Sequence, residues 1–330
     1  MYIPEYTITP NILKSISNTE YNRSIIENIN ILPNFEARLQ QESKTEFIVS
    51  SYKFIGENID QKVAKTIVDK LSDKESPKIT NVLDSLDLVE MLAQTQELEE
   101  SDLKKLHSTL ADNLIPGRQI GKYRNRKIET KTDPEEILAE ISEIIDWFNS
   151  LEAIDTNPII ISGIIKGQLE MTAPFEFLNS FISSLCSRML LYSRDYNFTR
   201  YTTIESYYNS SRRDYEQSLL SIIEEEGDFT TWLEYYTAGM DAQTATAAEK
   251  VKLLAKDTKL AKVSGRIYLT KRQEKIVEYL QDFGMLQNKQ FSRLFPHISE
   301  DSVLRDLKKL IDADVVVKRG STKSSRYELA

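Results

Sequence analysis

Scarcity of glycine constrains this chain most: ten glycines and nine prolines are spread over 330 residues. Glycine is the residue that takes left-handed backbone without penalty, so few tight turns and few phosphate-cradling loops can be built here. The abundant Leu, Ile, Glu and Lys favour helix instead. With 40% hydrophobic and 9% aromatic residues, the chain can bury a sizeable core and is not disordered. Its length suits one large domain with one or two small ones. The single cysteine, Cys186, excludes a disulfide framework, a cysteine-ligated zinc site and an iron–sulfur cluster. Two histidines, His107 and His297, are left for acid–base work, and no metal site is expected.

Residues 1–14 contain no apolar signal-peptide core, and the most apolar stretch, 158–165, is too short to span a bilayer. A cytoplasmic protein without membrane contact is the expectation. The formal net charge is −9, which argues against a chain-wide nucleic-acid surface. Residues 265–330 nevertheless carry thirteen Lys and Arg against nine Asp and Glu, a balance of +4 that leaves −13 for the rest. That asymmetry marks a domain boundary.

Apolar spacing predicts helices over 22–34 (ending at Pro33), 35–55, 62–71, 79–95 and 101–114. Residues 116–130, punctuated by Pro116-Gly117 and Gly121 and rich in Arg and Lys, read as an exposed hairpin or flap. Further helices are predicted over 133–149, 157–170, 176–192, 203–225 and 230–240. The Ala/Lys-rich 242–263 suits a connecting helix. His107 lies on a helix without a partner histidine and is read as a packing residue. Phe177, Leu178, Phe181, Leu185, Met189 and Leu190 recur at helical spacing, so the 176–192 segment is a core helix on periodicity alone.

The flap segment Gly121-Lys122-Tyr123-Arg124, the run Tyr207-Tyr208-Asn209 with Arg212 and Tyr215, then Gly227-Asp228 and Trp232-Leu233-Glu234-Tyr235-Tyr236 together resemble the Fic (Fido) family of adenylyltransferases over residues 20–240. Between them, Ala173-Pro174-Phe175-Glu176-Phe177-Leu178-Asn179-Ser180-Phe181, with Ser184, falls where that family carries His-Pro-Phe-x-Asp-Gly-Asn-Gly-Arg-x-x-Arg. The resemblance implies a helical bundle with a small β-hairpin flap. Its N-terminal helical region would span 1–100, its core 101–240 and the connecting helix 241–264.

The same resemblance implies chemistry that this sequence does not supply. Ala173 stands where the family's general base would be and has no proton acceptor. Phe177 replaces the acidic residue expected at magnesium, with Glu176 one position off. Leu178 and Ser180 replace two glycines that form an anion nest, and lack glycine's backbone freedom. Phe181 and Ser184 replace arginines that neutralise phosphate oxygens. Only Pro174, Phe175 and Asn179 are kept. Many family members also carry an inhibitory Ser-x-x-x-Glu-Gly helix. The equivalent here is Ser51, Ile55 and Gly56, with Glu57 one residue late and turned about 100° away. A hydrophobic contact between Phe181 and Ile55 in place of the lost ion pair is the expectation.

Residues 265–330 look like a winged helix-turn-helix: helices over 270–282 and 288–295, a third capped by Ser299, then a strand, a basic turn and a strand. In such a module the third helix enters the major groove and the wing meets the backbone. Ser302, Arg305, Lys308 and Lys309 are the outward helix candidates, and Lys318, Arg319, Lys323 and Arg326 the phosphate contacts of the wing. Glu300, Asp301 and Asp306 would oppose phosphate. His297 is read as structural.

Together these features predict a mainly α, Fic-like protein that has lost AMP transfer and acts by binding or regulation, with DNA, a protein partner or a second copy of itself as partner. No cofactor is expected. The alternative is a diverged nucleotidyltransferase that still binds ATP and magnesium and uses Glu176 or Glu170 as base.

Overall fold

The computed structural model describes residues 3–29, 31–70, 76–263, 269–296, 298–320 and 325–329, the side chains at 34, 256–263 and 281–282 apart. Among these the fold is fifteen α-helices and one small sheet. The helices of the first two-thirds are α1 (Pro10–Asn28), α2 (Pro33–Phe54), α3 (Gln61–Val68), α4 (Pro77–Leu92), α5 (Glu100–Ala111), α6 (Ile137–Phe148), α7 (Leu151–Asp155), α8 (Pro158–Thr172), α9 (Asn179–Ser193), α10 (Glu205–Ser210), α11 (Arg212–Glu224) and α12 (Thr230–Val263). After them come α13 (Lys271–Phe283), β1 (Leu286–Gln287), α14 (Phe291–Leu294), α15 (Glu300–Asp312), β2 (Val316–Arg319) and β3 (Arg326–Leu329).

Several sequence expectations shift. Pro33 opens α2 instead of closing the helix before it, and Pro10 opens α1 well upstream of residue 22. Proline is tolerated in a first turn, where its missing N–H is one of the unpaired donors anyway. The expected 230–240 helix and the linker helix are one continuous helix, α12. Residues 116–132 form no hairpin; their one strand-like contact is an antiparallel bridge from Tyr123 to Phe175.

The chain divides into two compact units, Met1–Glu27 with Gln41–Ala248, and Asn28–Gln40 with Glu249–Ala330. The centre of the first is the hairpin of α8 and α9, both buried along nearly their whole length. Two glycines make α8 a docking surface. A Cβ on Gly163 would lie 2.8 Å from Leu233 and Tyr236, and one on Gly167 would lie 2.7 Å from Trp232 Nε1. The indole N–H of Trp232 donates to the Gly163 carbonyl at 2.7 Å. Small residues on one helix thus let a Trp of α12 approach the backbone of the other.

The second unit is built on Ile276, Leu280, Leu286, Phe291, Val303, Leu307, Leu310, Val316 and Tyr327. Its sheet runs β1-β3-β2, antiparallel throughout, with Arg319 opposite Arg326 and Leu286 opposite Tyr327. Thr270 caps α13 through its hydroxyl and a reciprocal bond with Gln273.

Candidate functional site

The loop between α8 and α9 is shaped by two left-handed residues. Ala173 (φ +42°) ends α8, its N–H donating to Leu169, and Leu178 (φ +65°) precedes α9. Leu178 therefore takes the backbone region expected to require glycine, against a cost of about 1 kcal/mol. The side chain of Asn179 holds it there. The Phe175 N–H donates to Asn179 Oδ1 at 2.8 Å, and Asn179 Nδ2 donates to the Phe175 carbonyl at 2.7 Å. Both ends of that amide are spent on closing the loop.

Arg124 binds the preceding flap segment to the same loop. Its guanidinium donates to the carbonyls of Ala173 (2.7 Å), Thr172 (3.0 Å), Thr132 (2.5 Å) and Arg126 (2.7 Å), and its N–H donates to Pro174 (2.9 Å). A buried cation is here satisfied by carbonyl oxygens. On the other side, His107 lies flat on Phe175. Its Nδ1 accepts the Gly121 N–H at 2.9 Å. Burial pushes the imidazole down to about 4, partly offset by the Phe177 backbone. With its lone pair already engaged, this fully buried ring packs, as its isolation in sequence implied.

Phe181 and Phe177 differ in burial. Phe181 is 1% exposed and meets Tyr52 (centroids 5.0 Å apart) and Phe47 (6.4 Å), both on α2. Phe177 is 45% exposed. Where a Phe181–Ile55 contact is the expectation, the ring neighbours of Phe181 are Tyr52 and Phe47, while α2 ends at Phe54 and the chain turns at Gly56 (φ +85°), leaving Ile55 37% exposed. Tyr52, three residues earlier, takes the place in the core. Glu57 pairs with Lys78, and the buried Ser51 hydroxyl has no partner among the described residues. Asn209 and Arg212 tie down this end of α2, donating to the carbonyls of Ser50 (2.8 Å) and Phe54 (2.6 Å).

Neither alternative carboxylate is free. Glu176 pairs with Arg126 at 2.8 Å. Glu170 accepts from Lys166 Nζ at 2.8 Å and from Ser183 at 2.6 Å. Burial alone would push the Glu170 carboxyl up, but the adjacent Lys166, these hydrogen bonds and Lys131 bring it below the ordinary carboxylate value. Lys166 also donates to Ser183 at 2.9 Å and to the Ser180 carbonyl at 3.4 Å, and lies near the rings of Tyr208 and Tyr215. Sequence reading missed Lys166, although its i,i+4 spacing from Glu170 was a usable signal. Ser184 is buried. A groove of about 420 Å³ opens beside the flap, lined among others by Lys131, Glu140, Gln168, Met171 and Phe229.

In the second unit, Arg305, Lys308 and Lys309 are exposed on α15, and Ser302 is half-buried with its hydroxyl 2.9 Å from that of Ser299. Ser299 does precede α15, but its side chain makes that contact and caps no backbone N–H. Asp306 is not an outward acid: it is buried and pairs with Arg272. Glu300 and Asp301 are exposed. Lys318, Arg319 and Arg326 are exposed, and Glu328 stands 2.7 Å from Arg326 and 3.8 Å from Arg319. Lys323 and His297 lie outside the described residues.

No family model and no curated protein matches this sequence. Solved structures do match the fold. A Fic family protein from Desulfovibrio desulfuricans aligns with a TM-score of 0.62 at 17% identity, over 100% of this chain and 98% of that one. A Fic domain containing signaling protein from Bacteroides thetaiotaomicron aligns with 0.55 at 20% identity, over 76% and 98%. Fic-1 from C. elegans aligns with 0.59 at 16% identity, over 73% of each chain. The chain has the mainly helical Fic fold. No helix among the described residues is long and apolar enough to cross a membrane.

Proposed function

We propose that this is a Fic-fold protein that has given up AMP transfer and works by binding or regulation, with its C-terminal unit a winged helix that contacts DNA. The observation that carries the first part is the state of the α8–α9 loop. Ala173 offers no proton acceptor there, and Phe181 is turned into the core against Tyr52. Glu170, a buried carboxylate of α8, is held as the ionised partner of Lys166. A base must accept a proton from its substrate, and a carboxylate stabilised this way is a weak one.

The residues also do not fit a magnesium nucleotide. No acid stands at position 177, Glu176 is engaged with Arg126, and no arginine stands at 181 or 184. One observation favours the alternative of retained nucleotide binding: Leu178 keeps the left-handed turn ahead of α9. Thermal-shift titration with ATP and magnesium separates the two readings. No stabilisation is expected. Transfer of labelled AMP to the chain or to another protein, lost on changing Asn179, would overturn the proposal.

The DNA part is supported by the exposed Arg305, Lys308, Lys309, Lys318, Arg319 and Arg326, and by the removal of Asp306 from the surface. Binding to mixed duplex is expected to weaken with salt in proportion to the phosphates neutralised, and the Lys318→Ala/Arg319→Ala variant to have a shallower salt slope. Binding indifferent to both would refute DNA contact and leave a protein partner or self-association.

A further inference from the structure

The outward face of the small sheet carries an acid among its cations. Side chains alternate along β3, so Arg326 and Glu328 share one face, while Tyr327 between them is buried in the core of the second unit. The register sets Arg319 of β2 directly opposite Arg326, and Val317 opposite Glu328. Two like charges facing each other across a strand pair repel. Glu328 reaches both: its Oε1 is 2.7 Å from Arg326 Nε and its Oε2 is 3.8 Å from Arg319 Nε. One carboxylate gives one oxygen to each guanidinium. The side chains of Arg319 and Arg326 are 65% and 52% exposed, and that of Glu328 is 30% exposed, so the whole triplet meets solvent.

Exposed pairs of this kind add little to stability. Their weight lies in what the arginines can bind. A DNA duplex carries condensed cations, which leave when protein side chains neutralise its phosphates, and that release drives sequence-independent binding and makes it salt-dependent. Two arginines less one glutamate bring a charge of +1 to the duplex instead of +2. The triplet therefore neutralises one phosphate where its arginines alone would neutralise two. A phosphate that engages Arg319 or Arg326 must displace the Glu328 carboxylate or accept its charge close by.

We propose, resting on the DNA-binding reading of this unit, that Glu328 is a built-in competitor for phosphate: it holds Arg319 and Arg326 in the unbound chain and weakens their grip on duplex DNA. Phosphate contacts carry no sequence information, so the weakening falls on every duplex alike. Glu328 has a second effect on the sheet itself, because it offsets the repulsion between the two opposed arginines. The same carboxylate thus steadies the β2–β3 pair and restrains what that pair can bind.

Anisotropy titration of a labelled mixed-sequence duplex with the full chain, over about 50 to 200 mM salt, tests this with Glu328→Gln, which keeps the shape of the side chain and removes its charge. The variant is expected to bind about three- to tenfold more tightly at the low-salt end. Its slope of log affinity against log salt should be steeper by about 0.9, the value of one further phosphate. Glu328→Thr removes the charge with a strong strand former and should give the same steeper slope, which covers any loosening of the sheet by the amide. In an Arg319→Gln/Arg326→Gln background, Glu328→Gln should change affinity by less than about twofold, because the two groups no longer couple. Unchanged affinity and slope, weaker binding by both variants, or an equal gain without the arginines overturns the role of Glu328 and leaves DNA binding standing. Failure of every chain to bind duplex at any salt overturns the DNA reading itself, and the competitor role with it.

Discussion

The imidazole of His107 lies flat on the ring of Phe175, centroids 4.0 Å apart and planes 7° from parallel. This stack joins α5 to the loop that precedes α9. It requires a neutral imidazole, because Nδ1 accepts the Gly121 N–H and burial disfavours the cation. The folded value of about 4 lies below the ordinary 6.5. The unfolded chain therefore takes up a proton near pH 6.5 while the folded chain resists. Stability is complete above that value, declines as pH falls from about 6.5 to 4, and levels off below. The decline amounts to about 3 kcal/mol if His107 acts alone. Chemical denaturation at stepped pH is expected to show it, and His107→Phe to flatten that window. An unchanged slope in the variant would mean that other groups carry it.

Leu178 sits in left-handed backbone (φ +65°), which carries a penalty for a residue with a Cβ. Leu178→Gly relieves the left-handed strain, about 1 kcal/mol, while adding some freedom to the unfolded chain. The expected result is a chain as stable as the original or up to about 1 kcal/mol more so. Leu178→Ile puts a β-branched residue at positive φ and is expected to destabilise by about 1–2 kcal/mol. Equal melting temperatures for the Gly and Ile variants would mean that the loop relaxes out of this conformation in solution.

What could be read in the sequence follows how locally each feature is encoded. The apolar stripe on α9, from Phe181 to Leu190, and the helices around Ile276 and Leu307 were legible because period 3.6 is a property of neighbours. The position of Asp306 was not. It sits at the margin of the stripe formed by Val303, Leu307 and Leu310, where one helical step decides between solvent and core. Pro33 was misread because proline both starts and stops helices, and α1, rich in Ser, Thr and Asn, has almost no apolar face to announce it. That Ala173, Phe177 and Phe181 offer no proton acceptor, carboxylate or guanidinium was visible as residue types. The carbonyls that the Arg124 guanidinium gathers were not, because they come from positions up to 49 residues away, and nothing in a leucine announces a left-handed turn.

Gly167 is expected to resist even the smallest enlargement. Alanine is the better helix former by about 1 kcal/mol, so at an open site Gly167→Ala would stabilise. Here its methyl would stand 2.7 Å from Trp232 Nε1 and 3.0 Å from Cδ1, on a side chain fixed by its bond to Gly163. Overpacking of this kind costs about 1–3 kcal/mol, so a net loss is predicted, with a change in the Trp fluorescence of the folded state. A gain in stability would show that α12 can shift away from α8 without penalty.

The strongest test of the buried electrostatics is to remove Lys166 and watch the sign of the pH dependence. In the native chain Glu170 is held below its ordinary value by Lys166 and by hydrogen bonds, so its contribution is present above about pH 4.5 and is lost on acidification through its lower folded value. Lys166→Met keeps the length of the side chain and leaves Glu170 buried without its cation, at a cost of about 3–5 kcal/mol near pH 7. Burial, opposed until then, dominates and pushes the carboxyl up. The variant should regain stability as pH is lowered from 7, the opposite of the native trend, because the folded state now takes up the proton first. Adding Glu170→Leu removes the stranded charge and is expected to restore much of the loss at pH 7 while abolishing the inverted slope. A single variant whose stability still falls on acidification would show that Glu170 reaches water or another cation once Lys166 is gone.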